Sequence, residues 1–138
     1  MTQITFNLKN RLADLDVLCE HVASFCETCG IAKKQKFEIN LALDELFTNI
    51  INHGFDDKVE HNIRVTCTRN DDSVEITIRD DGVPFNPLEA PQPDLNCTFN
   101  DREIGGLGIH LIKAYIDRID YQRVADNNIL TLTKILKD

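Results

Sequence analysis

The chain has 138 residues, of which 42% are hydrophobic and 28% are charged, and its formal net charge at pH 7 is −8. This length suits a single domain, residues 1–138, with one core. Because an acidic surface repels phosphate backbones, we expect no direct binding of nucleic acid, and no apolar run approaches the roughly 20 residues of a membrane span. The first residues lack the basic and apolar regions of a signal peptide, so the expected location is the cytoplasm.

The first part of the chain predicts one strand and two helices. Hydrophobic residues alternate with polar ones over residues 4–8, which indicates a strand. A helical period follows over residues 12–29 and ends at Gly30, and a second helix is expected over residues 34–52 with Gly54 as its C-cap.

The second part predicts two hairpins separated by a long loop and a helix. Residues 63–67 and 74–78 alternate on either side of a polar turn. Residues 81–103 contain the four prolines and form a loop of the length that binding segments have. Helical spacing returns at Ile109, Ile112, Ile116 and Ile119. Two last strands, residues 121–125 and 129–136, flank the turn Asp126-Asn127-Asn128. This order predicts an α+β two-layer sandwich with a mixed, mainly antiparallel sheet covered on one face by helices.

The chain has five cysteines, an odd number that argues against a disulfide framework. Cys26 and Cys29 form a C-x-x-C pair, which could be half of a metal or redox site. Their helical spacing with Leu15, Cys19 and Val22 favours the simpler interpretation, that they are small buried hydrophobic residues.

The second predicted helix carries polar residues on an otherwise apolar surface. It contains DELFTNIINHGF, and Glu45 and Asn49, four residues apart, project from the same face. A carboxylate and a carboxamide are costly on a buried helix unless they have partners or face a wet cleft. The pattern alone leaves both a solvated stripe and a functional cleft open.

The segment DDGVPF, residues 80–85, follows a predicted strand. Asp80 ends that strand, and Gly82 allows a tight turn. A carboxylate at a strand end can accept a hydrogen bond from an exocyclic amine such as that of adenine. An acidic β-turn without a ligand is the alternative.

Three glycines, Gly105, Gly106 and Gly108, precede the third predicted helix in GGLGIHLIK. Glycines let main-chain amides approach an anion, and the helix N-terminus adds a favourable dipole. No Lys-Ser or Lys-Thr follows, and no strand leads directly into the cluster, so it is neither a P-loop nor a dinucleotide fingerprint. Alone this glycine cluster is weak, but the three segments in this order form a specific set.

In this order the segments resemble the N-box and the two glycine boxes of the GHKL ATPase superfamily. The resemblance covers nearly the whole chain and is strongest to the stand-alone anti-sigma-factor serine/threonine kinases. It implies that Asn49 coordinates Mg²⁺ and that Glu45 is the general base for a substrate hydroxyl. Asp80 would bind the adenine amino group of ATP beside Gly82. The glycine cluster would hold the phosphates, and residues 86–103 would form a lid.

The resemblance also implies partners. The substrate would be an anti-sigma-factor antagonist, the second partner a sigma factor, and a homodimer is compatible with the family. The first glycine box commonly has a second glycine where this chain has Pro84, which lacks a main-chain N–H. Two alternatives to a kinase therefore stay open: a nucleotide-responsive module that binds partners without phosphate transfer, and a histidine-kinase-type domain acting in trans.

Overall fold

The computed structural model describes residues 2–89 and 112–136. These ranges contain two long helices, five strands, two short 3₁₀ segments at Leu12–Asp14 and Pro87–Glu89, and a helical stretch at residues 112–115. The helices are α1 (Leu15–Thr28) and α2 (Lys33–His53). The strands are β1 (Thr2–Lys9), β2 (Asn62–Arg69), β3 (Ser73–Asp80), β4 (Arg118–Val124) and β5 (Asn127–Ile135).

The five strands form one sheet in the order β1-β2-β3-β5-β4. All four pairings between these described strands are antiparallel. The predicted α+β class and the predominance of antiparallel pairing are confirmed, and no parallel pair occurs among the described strands.

One face of the sheet packs on the helices, and the other faces outward. Inward-facing strand residues such as Leu8, Val65 and Ile78 join α1 and α2 in one hydrophobic core. On the outward face the register aligns a row of half-buried or exposed threonines, Thr5, Thr66, Thr77 and Thr131. This alternation is the signature of an antiparallel sheet covered on one side only.

Both long helices end at the predicted glycines, for different reasons. Gly30, two residues beyond α1, has φ +68°, a left-handed conformation that glycine adopts without strain. Gly54 caps α2 with φ −88°, and its N–H donates to the Ile50 carbonyl at 2.7 Å. This main-chain hydrogen bond therefore fixes the end of α2 immediately after the turn that carries Asn49.

Two details of the last third of the chain differ from the prediction. The helical stretch ends at residue 115, so Ile119, predicted to continue the helix, lies in β4. The turn between β4 and β5 is formed by Ala125 and Asp126, with φ 47° and 67°. Positive φ at both positions defines a two-residue turn that matches the strand twist, so Asn128, predicted as part of the turn, belongs to β5.

The described cysteines behave as core or half-buried residues. Cys26 and Cys67 are both buried in the core. Loss of solvation raises the thiol pKa to about 11 for Cys26 and about 12 for Cys67, so neither forms a reactive thiolate near neutral pH. None of the helices described has the length and apolar character needed to cross a bilayer.

Candidate functional site

The C-terminal half of α2 carries the first two predicted site residues. Glu45 is half-buried and Asn49 is 5% exposed. Between them, Leu46 and Phe47 are fully buried core residues. Packing of these apolar neighbours therefore holds two polar side chains, one helical turn apart, at a fixed position along the helix.

The Asn49 carboxamide has the property expected of a ligand-binding group. Its Nδ2 atom is buried and has no hydrogen-bond partner among the described residues. Buried polar groups in folded proteins are nearly always paired, so such an atom points to a partner beyond the described residues, for which a bound ligand is one candidate. Rotation of the carboxamide by 180° brings Oδ1, an oxygen that suits Mg²⁺, to the same position.

A metal at Asn49 would need ligands from a bound nucleotide. Among the described residues, no group of three or more His, Cys, Asp or Glu could hold a metal ion. Mg²⁺ often keeps one or two protein ligands and takes the rest from phosphate oxygens and water. The residues present therefore fit a magnesium ion that arrives with a nucleotide, with Asn49 as a protein ligand.

The end of α2 contacts the turn that follows β3 through main-chain atoms. The Val83 N–H donates to the Gly54 carbonyl at 2.8 Å. A Cβ atom on Gly82 would lie 2.0 Å from the same carbonyl oxygen. Glycine is therefore required at position 82 because a side chain would collide with this carbonyl. The sequence had suggested instead that Gly82 permits a tight turn, but its φ is not positive. This contact brings the Asn49 helix and the Asp80 turn together.

Asp80, the last residue of β3, is 4% exposed and holds the start of this turn. Its Oδ1 accepts the Gly82 N–H at 2.9 Å and the Asn128 Nδ2–H at 3.0 Å. Loss of solvation raises the pKa of Asp80, and these two hydrogen bonds oppose that rise. Both hydrogen bonds from described residues reach Oδ1, which leaves Oδ2 to accept a hydrogen bond from a ligand amine.

Asn128 is a site residue that the sequence prediction missed. Its side chain is buried, and besides Asp80 it donates to the Val83 carbonyl at 2.8 Å. Its Oδ1 accepts the Phe85 N–H at 3.2 Å and the hydroxyl of Tyr121. Every hydrogen-bonding position of the carboxamide is used. The sequence did contain a signal for its burial. Asn128 alternates with Leu130 and Leu132 along β5, so its side chain lies on the same inward side of the strand.

The chain matches the family described as histidine kinase-like ATPase domain over residues 8–134. The chain belongs to this family. Similar family members include an anti-sigma F factor from Oceanobacillus iheyensis, 30% identical over 72% of this chain and 68% of its own length. Another is the serine/threonine-protein kinase BtrW of Bordetella bronchiseptica, 32% identical over 71% of this chain and 69% of its own length.

Solved structures of histidine kinase-like ATPase domains share the fold. The crystal structure of the RsbU and RsbW domains of Rv1364c from Mycobacterium tuberculosis matches 99% of this chain with a TM-score of 0.71 and 16% identity. This chain spans 33% of that longer protein. The family resemblance inferred from the three motifs and the predicted fold class are both confirmed.

The predicted site residues fall into two groups. Glu45, Asn49, Asp80 and Gly82 lie on α2 and on the turn that α2 contacts. The phosphate-binding glycines predicted from the family, Gly105, Gly106 and Gly108, lie outside the described residues, as does the predicted lid beyond Glu89. The structure therefore brings together the residues predicted to bind the purine and the metal ion, and their ligand roles, like those of the glycines, remain predictions.

Proposed function

We propose that this ATPase-family domain is a Mg²⁺-dependent protein serine/threonine kinase that phosphorylates an anti-sigma-factor antagonist and binds a sigma factor. The relatives named as an anti-sigma F factor and a serine/threonine-protein kinase support this proposal. One observation carries it: the buried Asn49 amide, whose Nδ2 has no partner within residues 2–89 and 112–136, lies on a helix whose end contacts the Asp80 turn, with Glu45 one turn before Asn49.

Asp80 and Asn49 would hold the two ends of ATP. The Asp80 carboxylate accepts a hydrogen bond from the adenine amino group through Oδ2, because Oδ1 is engaged by Gly82 and Asn128. Asn49 ligates the Mg²⁺ that accompanies the phosphates. When bound, this ion neutralises negative charge on the phosphates and orients them.

Glu45 would receive the proton in the transfer step. The substrate serine or threonine oxygen forms a bond to the γ-phosphorus, the bond from this phosphorus to the bridging oxygen of ADP breaks, and ADP leaves. The hydroxyl proton passes to the Glu45 carboxylate. Since phosphoryl transfer relies mostly on positioning and charge neutralisation, one base, one metal ligand and a purine anchor form a sufficient set on the described part of the chain.

The direct test is phosphate transfer from γ-labelled ATP to an anti-sigma-factor antagonist protein. Glu45→Gln should keep nucleotide affinity and lose transfer, by about 10²-fold or more for a general base. Asp44→Asn is the matched control, because Asp44 is the adjacent acidic residue on α2 and is exposed. Transfer by the Glu45 variant at the wild-type rate would refute the assigned base, and absence of transfer by a nucleotide-binding wild type would refute the kinase.

Pro84 favours one alternative, a module that binds nucleotide and partner without phosphate transfer. This exposed residue stands in the glycine box and offers no N–H to a nucleotide. Mass spectrometry of the antagonist after incubation with ATP distinguishes the two functions. A gain of one phosphate identifies the kinase, whereas an unmodified antagonist that still forms a nucleotide-dependent complex identifies the module.

A further inference from the structure

His61 lies between two acidic side chains at the border of the candidate site. Its Nδ1 is 2.9 Å from Oδ1 of Asp81, and its Nε2 is 2.9 Å from Oδ1 and 3.1 Å from Oδ2 of Asp57. The ring stacks on Phe55 with a centroid distance of 4.9 Å. The His61 side chain is 18% exposed, whereas the side chains of Asp57 and Asp81 are 46% and 57% exposed.

The two contacts require a doubly protonated ring. Ionised carboxylates only accept hydrogen bonds, and a neutral imidazole has a single N–H. Only the imidazolium form donates to Asp57 and Asp81 at the same time. The hydrogen bond that His61 donates to Asp57 is the largest cause that raises the pKa of His61; desolvation, next in size, opposes it, and the hydrogen bond to Asp81 adds to the rise. His61 in turn lowers the pKa of Asp57.

The bridge connects the two parts of the nucleotide site. Asp57 and Phe55 belong to the loop that leaves α2, whereas Asp81 lies between Asp80 and Gly82 in the purine-binding turn. The bridge is therefore a second contact between the loop after α2 and the turn after β3, in addition to the main-chain hydrogen bond from Val83 to Gly54. From the β1 side, Asn10 accepts the His61 N–H at 2.8 Å, which fixes the histidine main chain.

Two further charged side chains, those of Asp56 and Arg123, lie near the bridge. A surface pocket of about 280 Å³ beside His61 is lined by Asp56 and Asp57 from the loop, Asp81 from the turn and Arg123 from β4. Arg123 is engaged with the Gly82 carbonyl at 2.8 Å. The two carboxylates that contact His61 are therefore those of Asp57 and Asp81.

We propose that His61 is a positioning residue that, when protonated, holds the purine-binding turn against the end of α2 and thereby favours nucleotide binding. This inference rests on the proposed nucleotide-binding function. Above the pKa of His61 the neutral ring has a single N–H. It then keeps only one of its two hydrogen bonds to Asp57 and Asp81, and the bridge between the loop and the turn is weakened. Nucleotide affinity therefore falls as the pH rises through that pKa.

The test measures ADP affinity with Mg²⁺ by calorimetry over pH 6 to 9 for wild type, His61→Gln and His21→Gln. His21 is the matched control, because its ring also stacks on a phenylalanine, Phe6, at 4.2 Å, but lies on α1. Wild type and His21→Gln should lose affinity as pH rises. His61→Gln should bind about tenfold more weakly at pH 6, the effect of losing one charge-assisted hydrogen bond, and show a flatter profile. Ratios between proteins cancel the titration of ADP itself.

A second measurement follows the His61 ring protons by NMR during a pH titration without nucleotide. The midpoint should lie above the ordinary value of about 6.5 and should decrease in Asp81→Asn. A His61→Gln protein with the wild-type pH profile of binding, or a His61 midpoint unaffected by Asp81→Asn, overturns the positioning role. Absence of ADP binding by wild type at every pH overturns the proposed function itself, and the role of His61 in it, even if the NMR midpoint shifts as expected.

Discussion

The Asn128 side chain orients the Asp80 carboxylate, because its Nδ2 donates to Oδ1 of Asp80 at 3.0 Å. The two residues are register partners across β3 and β5, so the sheet itself sets their separation. The same carboxamide binds the main chain at Val83 and Phe85. Asp80 is thus held by strand pairing and by the turn that it begins.

Asp80→Asn should remove nucleotide binding without removing the fold. The remaining oxygen can still accept from Gly82 and Asn128, but the new NH₂ group replaces the acceptor that would face the adenine amine. The loss of a hydrogen bond to a charged group predicts at least about tenfold weaker binding by calorimetry. Asp71→Asn, in the exposed β2–β3 turn, should bind like wild type. Wild-type affinity of the Asp80 variant would contradict the assignment.

The same variant should also change stability in a pH-dependent way. Burial raises the pKa of Asp80 in the folded protein, so its contribution to stability is present below its ordinary pKa and is lost as pH rises. Asparagine does not titrate, and Asp80→Asn should therefore be more stable than wild type at neutral pH. Urea unfolding should show this difference shrinking as the pH is lowered toward about 4. A difference that grows on acidification would contradict the raised pKa.

Asn128→Asp should weaken both the fold and the site. A carboxylate at this position loses both donated hydrogen bonds and faces the Asp80 carboxylate. An unsatisfied or repelled buried group costs about 1–3 kcal/mol of unfolding free energy, measured by urea denaturation. Asn127→Asp is the control, because the half-buried Asn127 side chain makes an exposed hydrogen bond to the Ala125 carbonyl and none to Asp80. Equal losses in the two variants would refute the special role of Asn128.

Gly82→Ala should separate the turn from α2. The added methyl would overlap the Gly54 carbonyl oxygen at 2.0 Å, so the main chain must move and ADP affinity should fall. Gly30→Ala is the control for backbone effects, because its Cβ would meet no atom within 4 Å although φ is +68°. That strain costs about 1–2 kcal/mol. Both variants should lose stability in thermal unfolding, and only Gly82→Ala should lose affinity for ADP.

Lys134→Met should be strongly destabilising because it leaves a buried carboxylate unpaired. The Lys134 Nζ atom lies 3.4 Å from Oε1 of Glu38, and the two side chains are 11% and 12% exposed. Lys134 Nζ also donates to the Tyr115 carbonyl. Breaking a buried ion pair costs about 3–5 kcal/mol in chemical denaturation. The double variant Glu38→Leu with Lys134→Met should recover much of this loss. A double variant as unstable as the sum of the single variants would contradict a direct interaction.

The elements of this fold were predictable from sequence because their periodicities are strong. Alternation identified β2 and β3, and helical spacing placed α2 within one residue at each end. Ile119 was assigned to the helix because it follows Ile116 by three residues, which is a helical spacing. An isoleucine at this position also fits the inward side of the strand that follows. The β4–β5 turn was displaced because two asparagines suggest a turn, although Ala125 and Asp126 adopt the positive φ values.

The candidate site was predictable only where a motif carried it. Glu45, Asn49 and Asp80 belong to segments whose order indicates the family. The contact of Asn128 with Asp80 spans 48 positions in the chain, and the contact of His61 with Asp81 spans 20. Such contacts depend on strand register and loop packing, which a single sequence does not specify.

The contact between Gly54 and Val83 joins two peptide groups, so its chemistry does not depend on the identity of the side chain at position 83. Randomising Val83 among ordinary amino acids should leave this junction intact, whereas proline there would delete the donor. One residue inserted between β3 and position 83 would shift the peptide out of alignment with the helix end. Spacing along the chain, more than residue choice, therefore holds the proposed purine-binding residue Asp80 next to the proposed metal ligand Asn49.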